Sequence, residues 1–307
     1  MRNILSGVKI VDLSYRLPGP YAGMVLAQLG AEVIKIEDHR FTDPFLNGFF
    51  AQFEASFVDW YKQLNQNKKI MRFDFNNPQD LVHIKEIISQ ADGLIMGLPE
   101  KQQVSLGLAG DDLKHYAHLS IVEMKASQGR MPTMHDLNAM AETGLLKLHI
   151  QEFQDRDYIA PPFLPFFGAT FGHMVATTML ALLIKNKNKT QFHHEVCYLY
   201  DDCKALYEPF YSNDLRQTNT TKFLHNGAYP CYCIYRLGDG HSVAVAAVED
   251  KFWDILSQKL SISLPGLKRF DTSKESFEKV AAVFHSHTKS SIEAFIAQND
   301  VCLSLIN

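Results

Sequence analysis

The stretch VKIVDLSYRLPGPYAGMVLAQLGAEVIKI, residues 8–36, decides the fold. Val8 to Leu13 is a short β-rich run, and the Leu17-Pro-Gly-Pro20 after it joins a turn signal to prolines suited to the first turn of a helix. From Tyr21 onward Met24, Val25, Ala27 and Leu29 recur at helical spacing, and Gly30 stands where a helix C-terminal glycine belongs. Ala31 to Ile36 then reads as a second strand. A strand, a helix and a strand in so short a span form a βαβ unit, whose right-handed crossover requires parallel strands. A doubly wound, mostly parallel, Rossmann-like α/β sheet is therefore expected, with ligands beyond the carboxyl ends of its strands.

The same alternation runs on. Ile70 to Phe73 predicts a strand, and Pro78 to Ala91 a helix with Leu81, Ile84, Ile87 and Ile88 on one stripe. Leu94 to Met96 and Leu119 to Val122 read as further buried strands. This large domain is expected over residues 1–206. Residues 207–226 follow as a linker, because Tyr211 to Lys222 is rich in Asn, Thr and Ser and has no periodicity. A smaller α+β domain is expected over 227–298. Strands at Cys231–Tyr235 and Ser242–Val248 join through Gly238-Asp-Gly240, and helices follow at Asp250–Leu260, Ser273–His285 and Ser290–Gln298.

The 307 residues carry a formal net charge of -4, with 46% hydrophobic and 21% charged residues, the composition of a globular protein rather than a disordered one. This balance offers no basic footprint for nucleic acid. The five cysteines are odd in number and contain no CxxC pair, so a reducing, cytoplasmic setting is expected. Cys231-Tyr-Cys233 has no partner at finger-like spacing, and no metal site is expected. Met1 to Gly7 lacks the apolar core of a secretory leader. Phe163 to Ile184 has no Asp, Glu, Lys or Arg and is followed by Lys185, Lys187 and Lys189. Pro165, Gly168, Gly172 and His173 should break its first half, leaving Met174 to Ile184 as a buried helix too short to span a bilayer.

Several segments resemble the class III CoA-transferase family (CaiB/BaiF type), nearest its α-methylacyl-CoA racemase branch. They are Leu5 to Ser14, Leu17 to Ala22, Leu26 to Glu37, Asn65 to Ile70, Phe73-Asp74, Ala91-Asp92, Leu106-Gly-Leu108, His135 to Asn138, Thr143 to Leu146, Gly227 to Pro230, Asp239-Gly240 and Ala244 to Glu249 with Phe252-Trp253. The resemblance implies an acyl-CoA thioester as substrate or ligand, with no metal. It implies that His135, with Asp136, takes or gives the α-proton of a 2-methylacyl-CoA, supported by Glu249 of the smaller domain. The chemistry stands on its own terms: a thioester acidifies its α-carbon, imidazole is a suitable base near neutral pH, and a carboxylate can hold the imidazolium. The same His-Asp pair also fits a helix N-terminus. Arg40, Asn67, Lys68 and Lys69 match positions that in the family face the nucleotide and its phosphates, although lysines more commonly form a solvated surface.

The sequence departs from the family where it matters most. The resemblance places an essential aspartate after a Pro-Pro segment, yet Pro161 to Gly172 contains no carboxylate. Gly168 holds roughly that position, and the nearest acids are Asp155 and Asp157. The family's phosphate-binding Arg-Pro-Gly loop is replaced by Pro99-Glu-Lys101, its Gly-x-Gly-Gln turn by Lys189 to His194, and an Asp-Val pair by Glu195-Val196. Three functions stay open: an active acyl-CoA enzyme with His135 as base, a catalytically degenerate CoA-binding partner, or a dimer scaffold. Relatives are interlocked dimers whose chain returns to the large domain. Asp300 to Leu305 resembles the start of that return, so residues 299–307 are expected to begin it, and a homodimer without full ring closure is expected.

Overall fold

The computed structural model describes residues 3–116, 118–129, 134–150, 157–188, 192–210 and 223–306. Two compact units divide near residue 213. The expected linker segment 211–222 lies outside the described residues, as does Asp155.

The first unit opens as the sequence predicts, with β1 (Lys9–Leu13), α1 (Pro18–Gln28) and β2 (Glu32–Asp38). Three helices follow that the periodicity did not announce: α2 (Pro44–Asn47), α3 (Phe49–Phe53) and α4 (Ala55–Asn65). The chain continues through β3 (Lys69–Phe73), α5 (Pro78–Ser89), β4 (Gly93–Met96), α6 (Glu100–Leu106) and β5 (Ser120–Lys125). Then come α7 (Asp136–Glu142), α8 (Leu146–Ile150), α9 (Phe166–Lys185), β6 (His193–Tyr198) and α10 (Leu199–Tyr207). The six strands form one sheet in the order β3-β2-β1-β4-β5-β6, and every pairing is parallel.

Strand alternation sends Ile10, Val33, Ile95 and Val122 toward α1 and α9, and Val11, Leu13, Leu94, Met96 and Ile121 toward Ile84 and Ile88 of α5. Both faces are covered, as a parallel sheet requires. Each large apolar side chain fully buried this way contributes about 1.5–3 kcal/mol.

The expected break in α9 does not occur: the helix is continuous over Phe166–Lys185. Its glycines serve packing. A Cβ on Gly172 would stand 2.7 Å from the Pro18 carbonyl oxygen, and one on Gly168 would stand 2.8 Å from Leu17 Cδ2. Glycine at both positions lets α1 lie directly on α9, and that contact offsets the intrinsic helix cost of about 1 kcal/mol each. The helix is long and apolar enough to cross a membrane by length and composition. Its stripe of Phe167, Phe171, Val175, Ala176, Met179 and Leu182 is buried in the core of this unit.

The second unit is α+β. An antiparallel sheet of β7 (Tyr232–Arg236), β8 (Ser242–Ala246) and β9 (Leu303–Ile306) joins α11 (Asp250–Lys259), α12 (Lys274–His285) and α13 (Lys289–Gln298) around buried Trp253, Leu256, Val280, Phe284 and Ile292. The Asp300–Leu305 stretch, expected to begin a return to the large domain, instead supplies β9 at the side of β8. Alternation explains the difference: Leu303 faces the apolar core of this unit and pairs with Val245.

Candidate functional site

Toward the carboxyl ends of β1 and β2 the sequence reading missed a buried charge cluster. Asp12 and Lys35 are register partners on β1 and β2, both fully buried on the face under α1. Lys35 Nζ donates to the Ser14 carbonyl at 2.5 Å and lies 3.6 Å from Asp43 and 3.9 Å from Glu37. Asp43 also accepts the amides of Arg16 at 2.9 Å and Phe45 at 3.0 Å, which ties the loops after β1 and β2 together. Charged residues at Asp12, Lys35 and Glu37, where buried parallel strands are otherwise apolar, were the signal available in the sequence.

Lys68 belongs to this cluster, and its expected role as a phosphate contact is corrected. Its side chain is fully buried, with Nζ 2.9 Å from Asp12 Oδ2 and 2.7 Å from the Pro20 carbonyl. Burial pushes its ammonium down to about 8 against the pull of Asp12. Burial also works to raise the Asp12 carboxyl, but Lys68, Lys35 and the Ser14 hydroxyl outweigh it and hold the group below the ordinary carboxylate range. A carboxylate inserted among apolar strands demanded a counter-ion, and Lys68 reaches in from the turn before β3 to supply it.

The other expected CoA-facing residues lie at the surface. Asn67 and Lys69 are exposed. Arg40, just past β2, grips Asp38 with Nε at 2.9 Å and Nη2 at 2.5 Å, and its Nε lies 3.2 Å from Asp74. Asp38, His39 and Asp74 place ligand-type atoms within 4.8 Å of one another, and Arg40 already bridges the two carboxylates.

The order of the sheet puts the change in winding direction between β1 and β4. Ser14 fills that crevice: a Cβ on Gly19 would meet its Oγ at 2.1 Å, and one on Gly97 would meet its Cβ at 3.0 Å. Open chemistry lies farther along, beyond β5. There His135 is exposed and takes the N-cap position of α7, its amide donating to Asn138 Oδ1 at 3.2 Å and its carbonyl accepting from Ala139 at 3.0 Å. It forms a capping box with Asn138, and the residue stays exposed.

Asp136 turns away from its own helix. Its Oδ1 accepts the amide of Gly168 at 2.6 Å, in the first turn of α9. Burial raises its carboxyl above the ordinary range, with the Gly168 and Phe167 amides acting the other way. The structure thus brings Asp136 to Gly168, with His135 as the adjoining residue of the chain. Glu249 lies in the second unit, where it is the exposed N-cap of α11. Large apolar side chains stay exposed on the elements around the start of α9: Tyr158 (88%), Phe163 (86%), Leu164, Phe166, Leu206 and Phe210.

The pattern of CoA-transferase family III matches residues 5–307. Alpha-methylacyl-CoA racemase of Homo sapiens is 23% identical over 98% of this chain and 77% of its own length. Succinyl-CoA:glutarate CoA-transferase of Homo sapiens is 29% identical over 67% of this chain and 46% of its own length. A crystal structure of a CAIB/BAIF family protein from Brucella suis superposes with a TM-score of 0.80 at 18% identity, covering 100% of this chain and 85% of that one. That agreement extends to the parallel six-stranded sheet and the smaller antiparallel unit.

Proposed function

The chain belongs to CoA-transferase family III, and from that membership we propose that it binds an acyl-CoA thioester and exchanges the proton on its α-carbon through His135. The observation that carries this reading is an exposed histidine whose chain neighbour, Asp136, is bonded to the first turn of α9. The neutral ring accepts the α-proton, leaving a thioester enolate, and the imidazolium returns a proton to the same carbon. Phe166 to Met174, the first two turns of α9, contain no Asp or Glu. With one base, exchange with solvent outpaces inversion, because inversion needs acceptors on both faces of the carbon. Arg40, Asn67 and Lys69 are the candidates to meet the CoA nucleotide, since cations and amides suit phosphate oxygens.

A second reading, a catalytically degenerate acyl-CoA binder, is favoured by the engagement of two of the four residues expected to face the nucleotide: the Lys68 side chain is buried against Asp12, and Arg40 is held by Asp38 and Asp74. Isothermal titration with CoA and a 2-methylacyl-CoA, followed by exchange in deuterated water, separates the two. Binding with exchange that disappears in His135→Ala supports the first, and binding without exchange supports the second. The absence of binding removes both.

We also propose a homodimer formed through the exposed apolar side chains around the start of α9, since apolar surface left open to solvent favours association. We further propose a reducing compartment, since the five cysteines are odd in number and contain no CxxC pair.

A further inference from the structure

We propose that Asp136 is a positioning residue, whose carboxylate is clamped on the Gly168 amide and so fixes the peptide carrying His135 against the first turn of α9. The inference rests on the reading of His135 as the base and deepens it. An acidic residue at the start of a helix ordinarily serves the free amides of that helix. Asp136 instead serves a different one, with Oδ1 2.6 Å from the nitrogen of Gly168. Those amides begin a 20-residue helix, α9, whose aligned peptides favour an anion at this end.

The absence of a side chain at 168 is part of the arrangement. A Cβ there would press on Leu17 at 2.8 Å and stand 3.7 Å from Asp136 Oδ1, so loop, helix and carboxylate all close on one bare position. His135 is then held from both sides. Asn138 Oδ1 takes its amide, Ala139 bonds its carbonyl, and the next residue is anchored to α9, while the imidazole stays exposed. A base on a loop gains reach from its rigid neighbours, and a misplacement of about 1 Å costs about 100-fold in rate.

The competing role for Asp136 is a second acid or base, and one substitution separates the two. Asn keeps an oxygen that can accept the Gly168 amide but cannot carry the proton, whereas Ala offers neither. If Asp136 positions, Asp136→Asn retains α-proton exchange within about threefold of the unmodified protein and keeps its pH profile. Asp136→Ala then falls by roughly 10- to 100-fold in kcat with KM little changed. Loss of exchange in both variants, or in neither, overturns the proposal. A second readout is independent of turnover. The His135 ring carbon signal in NMR should report an ordered side chain in the unmodified protein and in Asp136→Asn, and a mobile one in Asp136→Ala. If the unmodified protein shows no exchange, the proton-transfer reading fails. The ring signal then still decides the clamp, and unchanged order in Asp136→Ala refutes it.

Discussion

Replacing Lys68 with Met tests whether this residue holds the fold together or reaches a ligand. Met keeps most of the aliphatic stem and removes the ammonium, which has two partners in the buried cluster, Asp12 at 2.9 Å and the Pro20 carbonyl at 2.7 Å. Removing one member of a buried ion pair costs about 3–5 kcal/mol, chiefly because the other charge stays buried. Asp12 retains the Ser14 hydroxyl and its register partner Lys35, which places the loss near the low end, about 3 kcal/mol. For a chain of this size that lowers Tm by roughly 6–12 °C. Trp60 and Trp253 are the two tryptophans and fall in different units, so a Trp253→Phe background leaves Trp60 to report urea unfolding of the first unit. Pairing Lys68→Met with Asp12→Leu should recover most of the loss.

The pH dependence reads the cost of burying that ammonium, which opposes its pairing with Asp12. The folded-state value near 8 lies below the ordinary lysine value of 10.5. Between the two the unfolded chain holds a proton that the folded chain has released, so stability rises with pH through that window. The gap between the unmodified protein and Lys68→Met should therefore widen from pH 8 to 10.5 and level off on either side. A variant within about 1 kcal/mol of the unmodified protein, with CoA affinity lost instead, would refute the structural role.

At the crossing of α1 and α9, Gly172→Ala should destabilise the first unit. Its Cβ would meet the Pro18 carbonyl at 2.7 Å, and an overpacking cost of about 1–3 kcal/mol outweighs a propensity gain of about 1 kcal/mol. Gly168→Ala presses on the end of the Leu17 side chain and makes only ordinary contact with Asp136 Oδ1 at 3.7 Å, so it should be milder, as urea titration of both variants will show. Phe163→Asp with Phe210→Asp should convert a dimer to a monomer in light scattering at unchanged far-UV circular dichroism. An unmodified protein that is already monomeric at micromolar concentration would contradict the proposed association surface.

Much of the architecture was legible in the sequence because local signals and the tertiary result agree. Residues 8–36 carry a turn, a helical stripe and two β-rich runs, and the chain folds there as β1, α1 and β2. What was hidden depends on contacts distant in sequence. Gly168 and Gly172 look like helix breakers until α1 is seen lying on them. Leu303 looks like part of a returning strand until Val245 is seen beside it. The aromatic-rich run 44–65 lacks a clean helical period, since Phe45, Phe50, Phe57 and Trp60 pack mainly on one another.

The site was legible in part. His135 and Asp136 were identified as a pair, but nothing local to Asp136 points to an amide 32 residues away. Lys68 matches a nucleotide-facing position in the sequence, and the signal for its burial lies in Asp12, on a strand far from it in the chain.

The most direct test is α-proton exchange on a 2-methylacyl-CoA in deuterated water, followed by NMR, with the unmodified protein and His135→Ala side by side. Deuterium should enter the α-position faster than the stereocentre inverts, and His135→Ala should lose that incorporation. Incorporation that survives the substitution, or acyl-CoA bound without any exchange, would contradict it.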